Sequence, residues 1–332
     1  MAAQKHITGP YIGAFRHGGR LHEAMAAWPD APWPWLDLST GINPDPWPGP
    51  RASAKALTRL PDPRDLARLE AVAAKAFGVA DPARVVAVAG AEAGLRLLVG
   101  FLGGQAALVS PIYGGHTEAW GDRGMAVPAP DLEADILVLV NPNNPDGRRI
   151  ERDALEALAR TRSAAGRWTV VDESFGEVAP ALSVADLEIE RLIVLRSFGK
   201  FYGLPGARLG FLILNKDMAA KVRLMLGDWP LSADALALGL GAYADVTWRA
   251  ATQASLASQA QALDGLLAEA GLTVLGGCDL FRWVEVADAH DLFSRLCARG
   301  VLTRPFADLP SRLRFGLPSG KDFNRVREAL QP

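Results

Sequence analysis

A lysine, an aspartate, an asparagine and a tyrosine each stand just past an apolar run, in a setting where carbonyl chemistry is possible. Lys200 lies in LRSFGKFYGLPGARLGF, between Gly199 and an aromatic pair, with Ser197 before it and Arg208 after it. A lysine in a crowded, glycine-lined loop can act as a nucleophilic amine; by itself it can equally be a surface charge. Ser197 and Arg208 are suitable phosphate ligands. Asp172 closes the run WTVVDES, so it is expected at a strand end and buried. A buried carboxylate needs a partner, either an arginine or a protonated ring nitrogen of a ligand, unless it caps a helix. Asn144, in NPNNPDG, precedes a proline that holds the backbone extended and aims the amide. Two Asn-Pro dipeptides at the end of one strand exceed what a turn requires. Tyr113, in SPIYGGH, can stack on a flat heterocycle or serve as a half-buried loop residue. Gly90, in VAGAEAG, closes a strand and opens a helix, which turns the N–H groups of Ala91 and Glu92 toward an anion. No G-K-[ST] follows, so this is not a P-loop.

These residues need elements to hold them. RVVAVAG, AALVSP, DILVLVNP, WTVVDES and RLIVLRS read as apolar strands, with helical text such as RDLARLEAVAAKAFGV and ERDALEALARTRSAA among them. Continuous apolar strands alternating with helices predict an α/β fold with a mostly parallel sheet covered on both faces. Ligands of such sheets sit beyond the carboxyl ends of the strands, where all the residues above fall. After ARLGFLILN the text turns helical from about Ser232 to Ala270, then mixed, which predicts a smaller α+β unit. The first residues, rich in Pro, Trp and Gly, read as an extended arm anchored by aromatics. The expected division is an arm over 1–45 packing with the small domain, a large cofactor-binding domain over 46–230 and a small α+β domain over 231–332.

Composition narrows the classes. The chain has 332 residues, 49% apolar and 22% charged, with a formal net charge of −2, which gives no bulk electrostatic case for nucleic acid or an anionic membrane. Two cysteines, Cys278 and Cys297, make neither a disulfide framework nor a zinc site, and no metal site is expected. The longest uncharged run, Leu97 to Thr117, is broken by two glycines, Gln105 and Pro111 and reads as helix, turn and strand rather than a membrane span. The N-terminal residues have no apolar core of a signal peptide, so a cytoplasmic protein is expected.

Taken singly, each site residue has a plain structural explanation. Together they supply a phosphate cradle, a stacking ring, an amide, a buried carboxylate and a lysine at the ends of strands in one sheet. That set matches what pyridoxal 5'-phosphate requires: a lysine to form the Schiff base, an aspartate to keep the pyridine nitrogen protonated, and groups to fix ring and phosphate.

NPNNPDG, VDESF, RSFGKFYGLPGARLGF and LRFGLP occur here in an order that resembles the fold-type I pyridoxal-phosphate enzymes of the aminotransferase superfamily. The branch is that of histidinol-phosphate aminotransferase. Within it RHGGRLHEA and WLDLSTGINP, ahead of LPDP, are most similar to the entry arm of the threonine-phosphate decarboxylases of cobalamin biosynthesis, and HGG and STGINP are what favour them. The resemblance spans nearly the whole chain. It implies that Lys200 carries the cofactor, that Asp172 faces the pyridine nitrogen and Asn144 the phenolic oxygen, and that Tyr113 stacks on the ring. It further implies that Gly90, Ala91, Glu92, Ser197 and Arg208 hold the cofactor phosphate. Arg314 matches the arginine for the substrate carboxylate, and a homodimer is implied.

Three positions depart from the family pattern. Phe175 stands where a tyrosine is usual, which removes a hydrogen bond to the phenolic oxygen and suits the decarboxylases better. Leu60 stands before PDP where a tyrosine often reaches the partner subunit's cofactor. Gly199 replaces the usual Ser or Thr before the lysine, which reads as permissive.

The expected reaction is decarboxylation of L-threonine O-3-phosphate to (R)-1-amino-2-propanol O-2-phosphate, with the substrate held by His17, Gly41, Asn144, Arg304 and Arg314. Arg16, beside His17, is a further candidate for the substrate phosphate. The alternative is an aminotransferase of the histidinol-phosphate type, since the cofactor motifs are common to both. A third reading, a non-catalytic pyridoxal-phosphate-binding regulator, finds no helix-turn-helix text and no basic patch here.

Overall fold

Short apolar runs bounded by glycine, proline and asparagine cannot cover themselves, and here seven of them pair into one sheet. The structure, a computed structural model, describes Phe15 and residues 17–331. In chain order it begins with α1 (Leu21–Ala27), β1 (Leu36–Asp37), α2 (Pro63–Phe77), β2 (Val85–Val88), α3 (Ala91–Phe101), β3 (Ala106–Val109), α4 (Gly114–Trp120) and β4 (Gly124–Val127). Then come β5 (Ile136–Val140), α5 (Arg152–Ala164), β6 (Trp168–Asp172), β7 (Leu192–Ser197), α6 (Phe198–Phe201), β8 (Gly210–Ile213), α7 (Lys216–Leu226), α8 (Ala233–Ala244) and α9 (Val246–Glu269). The chain finishes with β9 (Thr273–Cys278), β10 (Phe281–Glu285), α10 (Ala289–Ala298), β11 (Val301–Leu302), β12 (Arg304–Pro305), β13 (Arg312–Gly316) and α11 (Phe323–Leu330).

The chain divides into two units. One comprises the residues up to Asp45, Pro145–Gly147 and the residues from Ala254 on; the other comprises Pro46–Asn144 and Arg148–Gln253. The sequence reading places the start of the small domain at 231. In the structure α8 belongs with the large sheet, and the division falls inside α9.

The larger unit carries the sheet β2-β8-β7-β6-β5-β3-β4. Strands β3 to β7 pair in parallel, whereas β8 runs antiparallel to both β2 and β7. All five residues of β5 are buried, as the run ILVLV requires of a strand covered on both faces. Val86, Leu98, Val138, Val170, Ile193 and Leu212 lie in the core on one face of the sheet. Local signals set the helix ends. At α2 the Asp62 side chain accepts from Arg64 N, Pro63 opens the helix, and Gly78 ends it in the left-handed region at φ 74°. The helical text from 232 to 270 forms two helices. Asp245 ends α8, and its carboxylate accepts from Trp248 N at 3.0 Å to start α9. Edge strand β4, half-exposed, is one that the apolar pattern does not announce.

The smaller unit holds an antiparallel sheet, β12-β13-β10-β9, and the parallel pair β1-β11, in which Leu36 faces Val301. Among the described residues no helix is long and apolar enough to cross a membrane.

Candidate active site

The carboxyl ends of β2, β5, β6 and β7 deliver Gly90, Asn144, Asp172 and Ser197, and β3 leads into Tyr113. Because β8 is antiparallel, its first residues lie at this same edge: Gly210 pairs with Ser197, which places Arg208 there too. A cavity of about 150 Å³ opens at the edge and is lined by Gly90, Ala91, Glu92, Tyr113, Asn144, Asp172, Phe175, Ser197, Lys200 and Arg208, with Ser174 among the others. Every cofactor residue expected from the sequence therefore meets in one cavity of the larger unit.

The phosphate end is the most constrained. Gly90 sits at φ 94°, and a Cβ there would lie 2.6 Å from Arg208 Nη2. A Cβ on Gly210 would lie 2.5 Å from Ala91 N. Arg208 itself has φ 53°, the one left-handed non-glycine among the described residues. An arginine is held in that region at a cost of order 1–3 kcal/mol, and such strain concentrates at ligand clamps. The first N–H groups of α3, the Ser197 hydroxyl at the end of β7 and the exposed Arg208 guanidinium thus form a donor set for an anion.

At the other end Asp172 is 5% exposed. His116 Nε2 donates to its Oδ2 at 2.9 Å, and Ser174 N and Oγ donate to its Oδ1 at 2.9 and 2.5 Å. Burial pushes this carboxyl up, but the bonds from His116 and Ser174 outweigh burial and hold it below the ordinary aspartate range. Donation from Nε2 leaves His116 Nδ1 as a buried atom without a hydrogen-bond partner. Tyr113 meets His116 edge-on, with ring centroids 6.2 Å apart, and its hydroxyl donates to Glu92 Oε2 at 3.4 Å. Burial first, then the Glu92 carboxylate, pushes the Tyr113 hydroxyl up to about 12, so it stays protonated at neutral pH.

Lys200 Nζ lies 6.0 Å from the ring centroid of the buried Phe175. No hydroxyl stands at position 175, as the sequence predicts. Gly199 is more than permissive: a Cβ there would lie 2.7 Å from Pro205 Cα, so the turn after α6 requires glycine. Leu60 is 68% exposed. Asn144 lines the cavity, and the turn that holds it is pinned by its neighbours: Asn143 Nδ2 donates to Pro111 O at 2.8 Å, and Asn141 bonds both ways with Ile150.

His17, Gly41, Arg304 and Arg314 all belong to the smaller unit. Arg304 and Arg314 face each other across β12 and β13. Arg314, 6% exposed, donates from Nη2 to Ser39 O at 2.9 Å, and Arg304 Nη1 donates to Phe15 O. Ser39 Oγ in turn accepts from Gly19 N at 2.8 Å, tying the loop after His17 to the segment that contains the buried Gly41. Arg16 lies outside the described residues.

Two contributors escape the sequence reading, His116 and Ser174. The sequence reading gave Asp172 an arginine or a ligand's ring nitrogen as partner, whereas the protein partners are His116 and Ser174, and nothing in GGHTEAW marks its histidine.

The donor set fits pyridoxal 5'-phosphate on the structure's own terms: a glycine cradle that any Cβ would fill, a charged aspartate kept ionised in a buried place, and an amine lining the same cavity. The model of the family "Aminotransferase class I and II" matches residues 34–331. The chain is 37% identical over 313 residues to the threonine-phosphate decarboxylase of Pseudomonas aeruginosa, covering 91% of this chain and 93% of that protein. It is 36% identical over 325 residues to that of a Sinorhizobium species, covering 95% and 97%. In structure it resembles histidinol-phosphate aminotransferase from Sinorhizobium meliloti, solved in complex with pyridoxal-5'-phosphate, at a TM-score of 0.82 with 21% identity, covering 99% of this chain and 98% of that one. With strand order, cavity and motifs in agreement, the chain belongs to the class I and II aminotransferase family.

Proposed function

We propose that this protein is a pyridoxal-phosphate-dependent decarboxylase of L-threonine O-3-phosphate that yields carbon dioxide and 1-amino-2-propanol O-2-phosphate, a reaction of cobalamin biosynthesis. The observation that carries the reading is the likeness to two threonine-phosphate decarboxylases over more than nine-tenths of each chain. Phe175 beside Lys200 supports it, because a hydroxyl there would suit the aminotransferases better.

When bound, pyridoxal phosphate supplies the electron sink that accepts the pair released as the bond from Cα to the carboxylate breaks. The protein does the rest. Lys200 would carry the cofactor through its amine and would donate the proton that takes the place of the departed carboxylate on the substrate's Cα. Asp172, kept ionised by His116 and Ser174, would hold a proton on the pyridine nitrogen. Asn144, through its amide, and Tyr113, through its ring, line the same cavity and would hold the cofactor ring. The N–H groups of Ala91 and Glu92, with Ser197 and Arg208, would hold the cofactor phosphate. Arg314 takes the substrate carboxylate, and Arg304, His17 and the backbone near Gly41 take its phosphate. The working protein is a homodimer in the cytoplasm.

Incubation with phosphothreonine tests the reading. Release of one carbon dioxide per substrate with no added oxo acid supports it. Strict dependence on 2-oxoglutarate overturns it in favour of a histidinol-phosphate-type aminotransferase.

A further inference from the structure

Directly behind the cavity the larger unit buries a charged cluster that no step above uses. Successive side chains of a strand point to opposite faces. Asp172 and Ser197 line the cavity, and their neighbours Glu173 and Arg196 meet elsewhere: Arg196 Nη1 donates to Glu173 Oε2 at 2.7 Å, and Nη2 lies 3.0 Å from Glu177 Oε1. Glu173, Glu177 and Arg196 are 0%, 2% and 3% exposed. Ser183 Oγ and Val184 N also donate to Glu173, at 2.6 and 2.7 Å. The guanidinium is walled in, with Phe77 at 4.6 Å on its face and Gly176 so near that a Cβ would lie 2.5 Å from Nη1.

A buried ion triad is a poor way to stabilise a fold, since apolar side chains of similar volume do as well or better. Its position points to another use. The β6-β7 ladder ends at Asp172 opposite Leu195, with Glu173 N donating to Leu195 O at 2.9 Å. Beyond that bond, the Glu173–Arg196 pair carries the connection between the two strand ends.

We propose that Arg196 is a positioning residue: by clamping Glu173 and Glu177 it locks the ends of β6 and β7 from behind and so fixes Asp172 relative to Ser197 and Lys200. This inference rests on the pyridoxal-phosphate reading above, though not on which reaction follows.

The test separates the two. Removing the arginine alone would leave two buried carboxylates, so the informative variant is Glu173→Gln/Glu177→Gln/Arg196→Met, which keeps volume and removes the charges. It should keep the wild-type circular dichroism spectrum and melt no lower, yet bind pyridoxal phosphate with a dissociation constant raised roughly tenfold or more. The pH midpoint of the bound cofactor's visible absorbance should move by roughly half a unit or more. Arg196→Lys, which retains one ion pair, should fall between this variant and the wild type on both readouts. A folded triple variant with wild-type affinity and midpoint overturns the inference. If the triple variant does not fold, Arg196→Lys decides: unchanged affinity and midpoint overturn the inference, and a shift in both supports it. A wild-type protein that binds no pyridoxal phosphate overturns the cofactor reading instead.

Discussion

At the scale of single residues the site depends on charge states set by neighbours. Lys200→Ala should abolish the visible absorbance of the bound cofactor and lower turnover by about 10³-fold or more; retention of either shows that the amine lies elsewhere. Asp172 is held below the ordinary aspartate value, so its ionised form stabilises the fold above the unfolded-state pKa, and that stabilisation is lost as pH falls through the lower folded value. His116→Leu leaves burial less opposed and moves the carboxyl up. Acid unfolding followed by circular dichroism should then begin at a higher pH than in the wild type; an unchanged acid limb would show that Ser174 alone suffices. Gly90→Ala places a side chain at φ 94° and against Arg208, at a cost of about 1–3 kcal/mol in urea unfolding. It should also weaken pyridoxal-phosphate binding. Lys200, Asp172, Asn144 and Arg208 were legible in the sequence only together, because all of them fall at or past strand ends of one sheet while each alone has a plain structural explanation. His116 was not, since its role depends on a partner 56 residues away.

At the scale of elements, the parallel strands other than β4 were legible as unbroken apolar runs, and α2 as the helical spacing of RDLARLEAVAAKAFGV. The direction of β8 was not, because GFLI reads alike either way. That antiparallel strand is what returns Arg208 to the edge where the parallel strands end. The break between α8 and α9 was hidden by continuous helical text and is made by one aspartate. The Ser232 hydroxyl accepts from Ala235 N at 3.1 Å at the start of α8, so Ser232→Ala should cost about 1 kcal/mol by urea titration. Gly199→Ser, which restores the family's usual residue, should lower stability by about 1–3 kcal/mol through collision with Pro205. A melting temperature equal to the wild type's would show that the turn can move.

At the scale of the whole molecule the sequence reading assigned an arm over 1–45 to the small domain, and the smaller unit contains that stretch, but neither its piece Pro145–Gly147 nor a boundary inside α9 was foreseen. Composition cannot show that the smaller unit is assembled from three separate stretches of chain, because that depends on pairings such as β1 with β11. Its shortest piece, Pro145–Gly147, leaves the larger unit for three residues, and there Gly147 comes so near β9 that a Cβ would lie 2.3 Å from Gly277 Cα. Neither unit is therefore a module in the genetic sense. A fragment beginning at Ala254 would lack two of its three parts and should stay unfolded when expressed alone. A chimaera that borrows the C-terminal third from a relative must inherit that relative's arm and its Pro-Asp-Gly turn as well, so recombination at a single crossover should yield mostly inactive protein.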